Sequence, residues 1–201
     1  MRHSWLRSFL VIVGFSLLLT GCGVNAIPTL DEQAKASWSQ VLNQYKRRAD
    51  LIPNLVEVVK GYATHERETL TAVTEARAKV SQINIPKDIL TNPQAFQAFQ
   101  QSQGALTQAL SRLMVVSERY PDLKASENFL ALQAQLEGTE NRISVARRDY
   151  IQAVQAYNTE LRTFPGRIWA MILYSDAVPL QNFTVDQEGI ENAPVIKMGN
   201  G

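Results

Sequence analysis

Trp38-Ser39-Gln40-Val41-Leu42-Asn43-Gln44-Tyr45-Lys46-Arg47-Arg48-Ala49-Asp50-Leu51-Ile52-Pro53-Asn54-Leu55 decides the fold of this 201-residue chain. Alternating steps of four and three pick out Trp38, Val41, Tyr45, Arg48, Ile52 and Leu55, all but one of them apolar or aromatic. The rhythm extends upstream to Ala34 and downstream to Val59, Tyr62, Glu66, Thr69, Val73, Ala76 and Val80. Residues at that spacing share one helical face. A seam sustained from 34 to 80 predicts a long helix packed in a bundle.

The only proline between residues 30 and 82 is Pro53, and the only glycine is Gly61. Two readings meet at Pro53. Asp50 could cap a new helix with Pro53 in its first turn, where a missing N–H costs little. Alternatively, one helix runs through a kink. The unbroken phase favours the kink, and a helix over 30–82 would then reach roughly 75 Å.

Two further helices follow. Ile83-Asn84-Ile85-Pro86 ends the first, and Asn92-Pro93 starts the next as cap and first helical residue. Its seam is Phe96, Phe99, Gln103, Leu106, Leu110, Leu113 and Ser117. After Tyr120-Pro121, Ser126 is a cap for a helix with the seam Phe129, Leu132, Leu136, Thr139, Ile143, Ala146, Tyr150, Ala153 and Tyr157. Phe164-Pro165-Gly166 closes it, and nothing before residue 175 alternates as a strand would. The predicted fold is all-α: an antiparallel helical bundle of three long helices, the first kinked near Pro53, plus a short C-terminal helix and an extended tail. The bundle is expected over 30–175 and the tail over 176–201.

The N-terminus carries a different signal. Basic Arg2, His3 and Arg7 precede the apolar run Phe9–Leu19, and Leu19-Thr20-Gly21-Cys22 follows, with the chain's single cysteine. A basic start, a short apolar run and small residues before a boundary make a secretory signal. The run is shorter than the roughly 20 residues that span a bilayer. It resembles a bacterial lipoprotein signal with a lipobox. That implies cleavage before Cys22, a diacylglyceryl thioether and an acylated amine there, with 1–21 removed and 22–29 a flexible linker. The alternative is an uncleaved anchor running on through Val24 and Ile27. Several acyl chains hold a protein to lipid far better than one. Gly23 is not the aspartate that marks inner-membrane retention in many Gram-negative cells. Localisation is therefore expected to be the outer membrane, facing the periplasm, or the cell membrane of a single-membrane cell, facing the exterior.

Charge and composition narrow the function. Loss of Arg2 and Arg7 would leave 18 basic against 19 acidic side chains, which gives no polycationic surface for nucleic acid. With Cys22 lipidated, no thiol remains for a disulfide, a zinc site or a nucleophile. His65-Glu66-Arg67-Glu68 lacks the second histidine of a helical metalloprotease site, and His65 reads as an exposed helix-face residue. No metal site, cofactor or catalytic residue is expected. The Glu-x-x-His pairs of di-iron bundles are absent too.

Polar residues on the seams are the anomaly: Arg48, Glu66, Gln103 and Thr139. Around them cluster Asp50, Asn54, Glu140 and Arg147. The structural reading is that they fix helix register. The functional one is a polar binding groove lined by Asp50, Asn54, Glu140 and Arg147. Ile168-Trp169-Ala170-Met171-Ile172-Leu173-Tyr174, apolar nearly throughout, either caps the bundle end or dips into lipid through Trp169 and Ile172.

Together these residues resemble the LemA family. The matching stretches are Trp38–Val41, Gln44–Glu57 with its Arg-Arg-Ala-Asp-Leu-Ile-Pro-Asn-Leu-Val block, Val59–Ala63, Tyr120–Ala125, Glu140–Ile143, Ala146-Arg147, Tyr157-Asn158 and Phe164-Pro165. The resemblance covers about residues 31–165. It implies a membrane-anchored helical bundle on the extracytoplasmic side with no established catalytic activity, and it carries over no catalytic residues. Two features depart from the family. Its members usually have an N-terminal transmembrane helix, and their segment after Pro165 is usually rich in glycine and phenylalanine. The expected function is a tethered interaction or scaffold module with an envelope protein as partner. The alternatives are an envelope hydrolase using Asp50 or Glu140 as general base, or a lipid-binding module.

Overall fold

A computed structural model describes residues 23–82 and 85–183. The signal segment, Cys22 and the tail beyond Phe183 lie outside the described residues. Four long helices and two short ones follow in order: α1 (Ala26–Tyr62), α2 (Arg67–Gln82), α3 (Pro93–Ser117), α4 (Pro121–Lys124), α5 (Glu127–Glu160) and α6 (Gly166–Ile172). The described residues contain no strand, and the all-α prediction holds.

The first helix departs from expectation. It continues through Pro53 but ends at Tyr62, and Ala63–Glu66 turn the chain back. Arg77 Nε on α2 donates to the Ala49 carbonyl on α1 at 3.2 Å, so the two helices run antiparallel. The rod expected over 30–82 is thus a hairpin, and α1 alone, with 37 residues, is about 55 Å long. The same contact explains how Pro53 is tolerated. A proline cannot donate to the carbonyl four residues back, and here that carbonyl belongs to Ala49, which Arg77 satisfies from outside. The burial pattern shifts by one residue at the turn, not at the proline, and is back on the seam by Val73: Tyr62 is exposed while Ala63 is buried.

The long helices alternate in direction. Trp38 lies beside Phe96, Arg48 beside Gln103, and Glu66 beside Arg119, so α1 and α3 run the same way. Trp38 also meets Tyr150 while Arg48 meets Glu140, so α5 returns antiparallel. The result is an up-down-up-down bundle of four helices rather than three. Asn92 caps α3, its side chain accepting from the Ala95 N–H at 3.1 Å, with Pro93 in the first turn. Ser126 occupies the cap position of α5 without a side-chain hydrogen bond.

The core has two sections. The upper one gathers Ile27, Trp38, Tyr45, Phe96, Phe99, Tyr150 and Tyr157. The lower one gathers Ile52, Leu55, Val73, Leu106, Leu113, Phe129 and Leu136. Helix α2 contributes only to the lower section. Above it, Ile89 and Leu90 of the α2–α3 connection and Leu180 and Phe183 of the C-terminal segment fill the fourth side. That segment is pinned at three points. Asn158 donates to and accepts from Leu180 at 2.9 Å, the Gln181 N–H donates to the Leu90 carbonyl at 2.7 Å, and Tyr150 Oη donates to the Gln181 carbonyl at 2.6 Å. Residues 176–183 therefore belong to the bundle. At the other terminus α1 begins at Ala26 with Ile27 buried, so the flexible linker expected over 22–29 gives way to helix there.

Candidate functional site

Arg48 sits at the junction of the two core sections and is only 1% exposed. Its position follows from the seam: the four-and-three rhythm that buries Tyr45 and Ile52 buries residue 48 between them. A guanidinium there must be paired and hydrogen-bonded, because a lone buried charge is strongly unfavourable. One terminal nitrogen donates to Glu140 Oε1 at 2.8 Å and to Thr107 Oγ1 at 2.9 Å. The other donates to Gln103 Oε1 at 2.6 Å and to the Gln103 carbonyl at 3.3 Å. The group also lies 5.0 Å from the centre of the Tyr45 ring, within cation–π range. One side chain thus joins α1, α3 and α5.

A cleft of about 220 Å³ opens beside it, with Tyr45, Gln103, Thr107, Glu140, Arg147 and Phe183 among its walls. Arg147 stacks over Phe183, 4.3 Å from the ring centre. Burial pushes the Tyr45 hydroxyl above its ordinary range, with Arg147 and Arg48 partly opposing the shift. The cleft is therefore polar: the terminal nitrogens of Arg48 are engaged by acceptors of α3 and α5, Arg48 Nε has no partner among the described residues, and Arg147 rests on the Phe183 ring.

Of the candidate residues, Arg48, Glu140 and Arg147 come together. Asp50 and Asn54 do not: both are exposed on another face of α1, because two residues on from Arg48 is more than half a turn around a helix. The expected groove of Asp50, Asn54, Glu140 and Arg147 is corrected to one of Arg48, Gln103, Thr107, Glu140 and Arg147. Gln103 was marked by its seam position. Thr107, one turn further along the same helix face, carried no separate signal. Glu66 finds its partners at the lower end, where Arg119 and Tyr120 donate to its Oε1 at 2.9 and 3.1 Å. That ties the α1–α2 turn to the α3–α4 turn. His65 is exposed in the former turn rather than on a helix face. Among the described residues no group of His, Cys, Asp and Glu is placed to hold a metal.

The second candidate region is the upper end. Helix α6 turns Trp169 and Ala170 toward the core and leaves Ile168, Met171 and Ile172 exposed. Trp169, read from sequence as a lipid contact alongside Ile172, packs inward, and only Ile172 faces out. Gly166 starts this helix hard against the end of α5: a Cβ there would run into the Glu160 carbonyl. No helix among the described residues is long and apolar enough to cross a membrane.

The class of protein follows from the sequence that builds this helical bundle. The LemA family model matches residues 37–198, and the chain belongs to the LemA family. "Protein LemA" of Metamycoplasma hominis is 31% identical over 120 residues, which is 59% of this chain and 50% of that protein. "Magnetosome protein MamQ 2" of Paramagnetospirillum magneticum is 26% identical over 165 residues, 74% of this chain and 60% of the relative. "Magnetosome protein MamQ" of Magnetospirillum gryphiswaldense matches with the same identity and shares. The chain spans between half and three-fifths of the length of these curated relatives.

Proposed function

We propose that this protein is a lipid-anchored interaction module of the cell envelope, without catalytic activity, that binds an envelope protein and faces the periplasm or the cell exterior. The observation that carries the reading is the state of Arg48. Both terminal nitrogens of its guanidinium are taken up in joining three helices, which favours a role in register over chemistry. Membership in the LemA family supports the reading, as does the apolar run ending in Leu19-Thr20-Gly21-Cys22. The hydrolase reading finds little geometry: Asp50 lies outside the cleft and the Glu140 Oε1 atom is held by Arg48.

Mass spectrometry of the native N-terminus tests the anchor. A chain beginning at an acylated Cys22 is expected, and an unmodified chain retaining Met1 would contradict lipidation. Lysine-directed crosslinking in intact cells tests the partner. The same envelope protein should be captured in independent cultures, whereas adducts scattered over abundant neighbours would count against an interaction module. Turnover of an envelope substrate that disappears in Glu140→Gln would favour the hydrolase instead.

A further inference from the structure

Six of the eleven large hydrophobic side chains exposed among the described residues fall between positions 164 and 178: Phe164, Ile168, Met171, Ile172, Leu173 and Val178. Phe164 is 82% and Met171 71% exposed, on a module whose long helices bury their seams. They gather on the outward face of α6 and the loops beside it. Ile168, Met171 and Ile172 share one face of α6 by their spacing, and an exposed apolar face of this kind marks a contact with a partner or a membrane.

The start of the described chain says which. Gly23 lies against this same end: a Cβ on it would be 3.2 Å from Pro165 Cγ and 3.4 Å from Trp169 Nε1. Cys22 is its covalent neighbour, and consecutive Cα atoms are only about 3.8 Å apart. The apolar run Phe9–Leu19 lies just upstream. A chain entering lipid at Cys22 therefore enters it beside α6, whether through acyl chains or through a retained apolar segment. The C-terminal segment leaves this end for the middle of the bundle, passing Asn158, then Tyr150, then Arg147.

We infer that the outward face of α6, with Phe164, Ile168, Met171 and Ile172, is a second membrane contact that seats the bundle end-on upon the bilayer. This rests on the anchoring proposed above. A short helix with one apolar face lies in the interface plane, its side chains among the upper acyl chains. Two attachments at the same end of the bundle restrain the swivel that a single-point tether would leave. The turns holding Glu66 and Tyr120 are then carried to the far side, away from lipid.

The test uses the full chain with photoreactive benzoyl-phenylalanine in place of Ile172, purified from membranes and reconstituted into phosphatidylethanolamine–phosphatidylglycerol vesicles. A control carries it in place of Val115, which is 70% exposed but near the opposite end. Flotation reports the anchor, and mass spectrometry after irradiation reports lipid adducts. The expected result is that both proteins float, that adducts form at position 172, and that they are lost at position 115. Flotation without adducts at position 172, or with equal adducts at both positions, overturns the α6 contact and leaves the anchor standing. A protein that fails to float overturns both.

Discussion

Arg48 shows how one side chain can hold a bundle in register. Its guanidinium is buried, while Glu140, its only charged partner here, keeps a side chain 44% exposed. Solvent screens part of the pair, so the contribution lies below that of a fully buried bridge. Truncating Glu140 should still matter, because it strands a buried cation. Glu140→Ala is expected to cost about 1–3 kcal/mol in urea unfolding, and Glu140→Gln, which keeps an acceptor oxygen, clearly less. Equal costs would show that a neutral acceptor cannot stand in for the carboxylate, and no cost in either variant would show that the bond to Arg48 contributes nothing. Tyr150 makes a second prediction. Its hydroxyl is buried and donates to the Gln181 carbonyl, and burial raises its pKa above the ordinary 10.0. The folded state therefore holds this proton more tightly than the unfolded chain does. The stabilisation is fully present below about pH 10 and is lost as pH rises toward the folded-state value. Tyr45 and Tyr157, raised by the same cause, add to the loss. Tyr150→Phe should cost about 1 kcal/mol at neutral pH and flatten the fall in stability above about pH 10. An unchanged alkaline limb would contradict this. Much of this scale was legible in the sequence: a charged residue on an otherwise apolar seam announced Arg48. Its partners were not, since helical spacing says which face a residue occupies and nothing about what a neighbouring helix brings to it. Asp50 and Asn54, close in sequence but on another face, were the cost of reading proximity along the chain as proximity in space.

At the scale of elements, the seams were legible and the breaks were not. Phe96 through Ser117 and Phe129 through Tyr157 are mostly buried where the rhythm put them. The turn at Ala63–Glu66 stayed hidden because both arms of the hairpin face one core, so the period resumes after it nearly in step. Periodicity reports the direction a residue faces, not the continuity of the helix. Pro53 drew attention as the break, yet a bond from Arg77 lets the helix pass. This makes a specific expectation. Arg77→Ala alone should cost about 1 kcal/mol, because it orphans the Ala49 carbonyl. In a Pro53→Ala background, where residue 53 regains its own N–H, the loss should shrink by about 0.5–1 kcal/mol. Strict additivity in the double-mutant cycle would show that Arg77 does not compensate for the proline.

As a whole molecule, the bundle has two unlike ends. One combines Gly23, the outward face of α6 and the point where the chain departs toward Cys22. The other is tied by polar contacts among Glu66, Arg119 and Tyr120. Helix α5, with 34 residues, sets them about 50 Å apart. Sequence alone suggested a tether and a rod but could not orient one to the other, because that relation exists only once α6 has folded back beside the first turn of α1. Energy transfer from donor dyes on Met171 and on Val115 to acceptor lipids in the vesicle plane tests the orientation most directly. The account predicts efficient transfer from position 171 and a donor at position 115 lying roughly 30 Å or more farther from the lipid. Equal distances would mean a bundle lying along the membrane, and would contradict an upright module held at the α6 end.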